Sequence, residues 1–331
     1  MNEVLALASV GVLGTPAWAW IVFLSIVVLL LAFDLGVLNR DDHEIGVAES
    51  LWLSAGYFAA ACLFGVGVGW AFGPAPAIEY FTGFLIEKSL SLDNIFVISL
   101  IFGYFAIPRR YQHRVLFWGI LGVIVLRGVM IAAGAALLHE FEWILYVFGG
   151  FLVLTGIKMM FASDEPPDIA NNPVLRFLRR HLRVTDRIEG HAFFVRMPDE
   201  TGRLSRHATP LFLALVLVEL ADLVFAVDSV PAIFAITQDP FIVFTSNIFA
   251  ILGLRALYFA LAAMIHRFHH LKYALAAVLV FIGGKIFYAM IVAKPDPAIS
   301  LGVTAALLAA GILASLLLPA PERRATPPGG G

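Results

Sequence analysis

The sequence predicts an all-α, polytopic membrane protein of about nine transmembrane helices, and three observations carry that expectation. Of its 331 residues 60% are apolar and only 14% charged, where a soluble domain averages about 45–50% and about 25%. Apolar runs of about 20 residues, the length a helix needs to cross the hydrocarbon core, recur along the whole chain. They are continuous rather than alternating, which argues against a β-barrel. The net charge of −2 gives no basic excess for binding nucleic acid. The single cysteine, Cys62, excludes an internal disulfide framework and a cysteine-rich metal site.

The nine runs lie near residues 18–37, 51–72, 80–105, 115–138, 143–161, 209–236, 241–264, 273–292 and 299–318. The first has a signal-like Ala17-Trp18-Ala19. Met1-Asn2-Glu3 brings no positive charge, however, and the apolar stretch continues, so it is expected to stay as a span. The second contains Gly65-Val-Gly-Val-Gly69, which reads as a close-packing face. The loops after runs 1, 3, 5 and 7 and the C-terminal tail hold sixteen Lys and Arg residues, and the segments on the other side hold only Lys294. That alternation predicts an N-terminus outside and a C-terminus in the cytoplasm. The long basic connection, 162–208, contains Arg176-Phe177-Leu178-Arg179-Arg180-His181-Leu182-Arg183 at amphipathic spacing. It reads as a helix on anionic headgroups, with docking of a protein partner as the other reading. His266, His269 and His270 read as a solvated loop, and Pro319 onward as a disordered tail, which leaves 1–318 as one transmembrane domain.

Charges inside the spans carry the functional signal, because each costs about 2.5–3.5 kcal/mol at a helix centre. They are Lys88, Arg127, Lys158, Arg255 and Lys285, with Asp34, Glu87, Asp93, Glu219, Asp222 and Asp228. Span 3 reads Glu87-x5-Asp93-Asn94 and span 6 reads Asp222-x5-Asp228-Ser229. Spans 4 and 7 then supply Arg127 and Arg255, and spans 5 and 8 Lys158 and Lys285. The offsets are 135, 128 and 127 residues. Three spans per copy, with none between, place the second copy upside down. The expected core is an inverted 3 + 3 repeat, about 80–161 and 209–292, with an ion site at its interface. Acids six apart differ by about 240° around a helix and do not share a face, whereas Glu219 and Asp222 do. Pro231 leaves the Val227 carbonyl without its helical donor and suggests a bend in span 6.

Phe33-Asp34-Leu35-Gly36, Glu87-Lys-Ser-Leu-Ser-Leu-Asp93-Asn94 and Glu219-Leu-Ala-Asp222-Leu-Val-Phe-Ala-Val-Asp228-Ser-Val-Pro231 resemble the TerC family, in its Alx-type branch. Thr245-Ser246-Asn247 and Leu252-Gly253-Leu254-Arg255 resemble it too. The resemblance implies a bacterial inner-membrane protein of the LysE-like transporter superfamily, linked to manganese export and, in name, to tellurium resistance. It also implies that Glu87, Asp93, Glu219, Asp222 and Asp228 line the metal pathway.

Asn94, Ser229, Asn247 and Asp34 are additional candidate ligands, and Arg127, Arg255 and Lys285 candidate counter-charges that change partners between states. Such a donor set is all hard oxygen, which favours Mn²⁺, Mg²⁺ or Ca²⁺ over Zn²⁺ or Cu⁺. The resemblance selects Mn²⁺, carried as cargo, with no resident cofactor expected. Carboxylates out of water also favour binding protons, so metal–proton exchange follows as an expectation. Two other readings stand beside it. In one, a stress-complex scaffold uses the buried charges only as structural pairs; in the other, an oxyanion carrier binds through Arg127, Arg255 and Lys285. Asp34 and Lys158, near span ends, read first as structural. No phosphate-binding Gly-x-x-x-x-Gly-Lys-Ser/Thr motif and no nucleophile–histidine pairing occurs, so an enzyme is not expected.

Overall fold

A backbone without water must satisfy its own hydrogen bonds, and every one of the nine predicted runs forms a helix. The computed structural model describes residues 11–33, 46–161, 168–198, 204–261, 270–292 and 295–317. In chain order the helices are α1 Ala17–Phe33, α2 Val47–Phe72, α3 Pro74–Tyr104, α4 Arg109–Glu140, α5 Ile144–Phe161, α6 Pro173–His181, α7 Pro210–Phe234, α8 Pro240–Leu261, α9 Leu271–Ile291 and α10 Pro297–Leu317. Two antiparallel hairpins join them, β1 Gly11–Val12 with β2 Thr15–Pro16 and β3 Phe194–Pro198 with β4 Leu204–Ala208. Five of the helices open on proline, whose missing N–H has no intrahelical partner there in any case.

Among the described residues seven helices, α2, α4, α5, α7, α8, α9 and α10, are long and apolar enough to cross a membrane. Of the other two long ones, α1 has 17 residues, and α3 carries Glu79, Glu87, Lys88 and Asp93 along its 31. The chain is therefore a polytopic, all-helical membrane protein. Asp34, His266, His269 and the tail 319–331 lie outside the described residues.

Helix α8 is the hub. It packs on α2, α3 and α4, while α7 packs on α3 and α4 and α5 lies along α9. Enclosure on all sides explains why Thr245, Ser246 and Asn247 of α8 are buried. Gly65 and Gly69 of α2 lie against Tyr80, Phe81 and Ala77 of α3, which gives the glycine run its packing role. Between α5 and α9 the closest approaches are at Gly149, facing the Gly283 carbonyl, and Gly156, facing the Ala276 carbonyl. Adding 127 to 149 and 156 gives 276 and 283, so the repeat offset exchanges these two contacts. Pro231 lies inside α7, which continues helically to Phe234.

The long basic connection is folded, contrary to the picture of a lone helix on the bilayer. Asn172 caps α6, its side chain accepting from the Val174 and Leu175 amides at 2.9 and 3.3 Å. Leu175, 1% exposed, joins Leu178, Val184 and Phe193 in one cluster with Leu116, Leu211 and Tyr258 of the bundle. The apolar face of α6 thus covers protein, and Arg176, Arg179 and Arg180 remain exposed.

A side chain at Gly283 would sit 2.6 Å from the Gly149 carbonyl, whereas Gly284 faces open space. Gly283→Val should therefore destabilise the protein by about 1–3 kcal/mol, the usual cost of overpacking. Thermal melts in detergent should show a clear loss for Gly283→Val and little change for Gly284→Ala.

Candidate functional site

Three helices bring charge to one buried point. Arg127, halfway along α4, is 1% exposed and makes ion pairs with Glu87 of α3 and Asp222 of α7. Its Nε donates to Asp222 Oδ2 at 3.0 Å and its Nη2 to Asp222 Oδ1 at 2.9 Å, a bidentate grip. Its Nη1 donates to Glu87, to Asn247 Oδ1 at 2.7 Å and to Ser229 Oγ at 3.3 Å. Asn247 returns a bond from Nδ2 to Glu87 Oε2 at 3.3 Å, and Asn94 Nδ2 donates to Asp222 Oδ1 at 3.3 Å. With both carboxylates ionised the group would sum to a charge of −1, since a guanidinium stays protonated in proteins. All its acceptors are oxygens.

The remaining predicted residues lie elsewhere, so the five acids do not meet at one point. Glu219 is one turn from Asp222 on the face toward α4, where its carboxylate lies against Gly119 and Gly122. Its Oε2 is buried without a hydrogen-bond partner. Asp93 turns toward Lys272 of α9, and Asp228 toward Thr155 and Lys158 of α5. Arg255 of α8 lies 3.0 Å from His113 Nε2 rather than beside an acid of the central group. Lys285 faces Glu79 across a cleft of about 730 Å³, also lined by Tyr146, Gln238 and Asp296. Lys88 Nζ donates to the Ala250 carbonyl at 3.2 Å. Among the described residues no three His, Cys, Asp or Glu side chains group closely enough to hold a metal ion by themselves.

Two participants escape sequence reading. His113 becomes helical because α4 starts at Arg109, six residues before the apolar run it extends. Glu79 falls one residue before the predicted start of span 3, although α3 begins at Pro74. A window set by hydropathy stops at charged turns that the helix itself runs through.

The Integral membrane protein TerC family profile matches residues 72–323, three quarters of the chain and all of the helices that carry these charges. The chain belongs to the TerC family. A membrane protein of Myxococcus xanthus is 50% identical over 304 residues, covering 92% of this chain and 93% of its own. One of Rickettsia bellii is 49% identical over 299 residues, covering 90% and 97%. Alx of Escherichia coli, whose name proposes a membrane-bound redox modulator, is 47% identical over 304 residues, covering 89% and 92%. No solved structure matches this TerC-family chain.

Removing Arg127 would leave two buried carboxylates without their cation. Arg127→Ala should cost about 3–5 kcal/mol, as breaking buried pairs does. Thermal melts should place Arg127→Lys between wild type and Arg127→Ala, since lysine keeps the charge and loses the planar fork.

Proposed function

We propose that this TerC-family protein is a secondary transporter that exports a divalent cation, Mn²⁺ first among them, across the bacterial inner membrane in exchange for protons. One observation carries the reading. Carboxylates from two repeat-related helices share a single buried positive charge, within a shell made only of oxygen acceptors. A hard divalent ion wants such a shell, and it carries the charge needed to take over from the guanidinium. In this scheme the cation and Arg127 compete for Glu87 and Asp222. Asn247, Ser229 and Asn94 complete the ligands, and Asp93, Glu219 and Asp228 mark positions on the way in or out.

Two carboxylates against one guanidinium leave one negative charge to be met, which gives the pair a reason to take a proton when neither cation is fully engaged. Nine spans, an outside N-terminus, a cytoplasmic C-terminus and an inverted repeat belong to the same reading. The exchange of the α5–α9 contacts under the 127-residue offset supports the repeat. The carrier has no resident cofactor and no enzymatic role, and the exposed arginines of the basic connection serve anionic lipid headgroups, with a protein partner as the other reading. An oxyanion carrier would need Arg127 available to its cargo, yet two acids already neutralise it. A redox role built on an intramolecular dithiol is not open to this sequence, which holds only Cys62.

Full-length protein in proteoliposomes should move Mn²⁺ against its gradient when a pH gradient is imposed. Glu87→Gln and Asp222→Asn should each lower that flux by about 10–100-fold, the loss typical of metal-site partners. Flux indifferent to the pH gradient would remove proton exchange from the scheme. Undiminished flux in both variants would remove Glu87 and Asp222 as the cation site, and no flux in the wild type would remove the carrier.

A further inference from the structure

A cavity of about 40 Å³ lies next to the central group, lined among others by Asn94, Gly119, Asp222, Arg255 and Tyr258. Asn94 is 4% exposed, and its Oδ1 has no hydrogen-bond partner. Asp222 fixes that amide's orientation, because a carboxylate bound to Arg127 can only accept, so Nδ2 faces it and Oδ1 is the atom left over. A buried acceptor of this kind needs a donor.

The repeat offsets say which donor. Arg127 binds Glu87, Asp222, Ser229 and Asn247. Moving each by its own offset, 135 for α3 and α7 and 128 for α4 and α8, converts Glu87 to Asp222, Asp222 to Glu87, Ser229 to Asn94 and Asn247 to Gly119. Arg127 becomes Arg255. Asn94, Gly119, Asp222 and Arg255 all line the cavity. The bare Asn94 Oδ1 is thus the image of Ser229 Oγ, which accepts from Arg127.

We infer that Asn94, Gly119 and Asp222 form a second guanidinium site, into which Arg255 moves as Arg127 leaves. The two arginines take turns as counter-charge to the Glu87–Asp222 pair, one in each arrangement of the repeats. A free cation fits this cavity less well, because Arg255 already lines it with positive charge. The cavity holds little more than one water, about 30 Å³, so the transfer requires α8 to shift against α3 and α4. Exchange of conformation between inverted repeats supplies such a shift. In the other arrangement, α4 withdraws Arg127, and the end of the bundle at Gln238 closes. This inference rests on the inverted repeat of the transporter reading.

The test uses the full chain with Cys62→Ala and Gln238→Cys, labelled from outside by a membrane-impermeant maleimide. Gln238 is exposed at the cleft beside Lys285 in the arrangement that Arg127 holds. Adding Arg255→Gln should raise the labelling rate, and adding Arg127→Gln should lower it, each by about threefold or more as the population shifts. If a Gln variant fails to fold, Arg255→Lys and Arg127→Lys should give the same opposed directions with smaller shifts. Shifts in the same direction, or none, would overturn the exchange. Mn²⁺ flux measured on the same parent before labelling separates the two ideas. Flux with unopposed shifts rejects the arginine exchange and keeps the exporter, whereas opposed shifts without flux reject the exporter and keep the exchange.

Discussion

Arg127 sits between Glu87 and Asp222 where almost no solvent reaches, and that placement constrains the helices around it. A guanidinium out of water has N–H donors to place on every nitrogen, and here all three nitrogens donate to oxygens from α3, α7 and α8. Those three helices must therefore meet α4 at the depth of Arg127, and they do so closely. Glycines at 119 and 122 let the Glu219 carboxylate lie on α4, and Asn247 reaches the guanidinium from the fully enclosed α8. Hydrocarbon would penalise any of these polar groups left alone, so the network fixes register between helices as well as holding charge.

That same requirement explains how the acids divide. A helix bearing two acids six residues apart turns them to different neighbours. Glu87 and Asp222 turn inward to Arg127, and Asp93 and Asp228 turn toward α9 and α5. A cation passing through would meet carboxylates in succession rather than in one cage. At the central pair such a cation would have to displace a charge already in place.

Much of this is legible in the residue order, for reasons that are physical. Charges in apolar runs are costly, so their positions mark helix depth and single out Glu87, Arg127 and Asp222 among the candidates, while only the structure brings these three together. Helical periodicity separates Asp93 from Glu87 and places Glu219 beside Asp222. What the order of residues does not contain is the breaking of symmetry. Arg127 and Arg255 hold matching places in the charge series, 128 residues apart, yet one holds the acids and the other lies at His113. The matching positions 119 and 247 differ as well, a glycine at one and at the other an asparagine that accepts from Arg127. The fold of the basic connection was hidden for a similar reason. Its amphipathic pattern specifies a buried face, and lipid and protein satisfy that pattern equally well; Leu175 and Phe193 choose protein.

Competition between a guanidinium and a metal ion for the same two carboxylates is the centre of this account. Cryo-electron microscopy of the full-length protein saturated with Mn²⁺ tests it most directly. The account predicts density for the ion between Glu87 and Asp222, with the Arg127 guanidinium withdrawn from both. An ion bound elsewhere, with Arg127 still bridging Glu87 and Asp222, would contradict it.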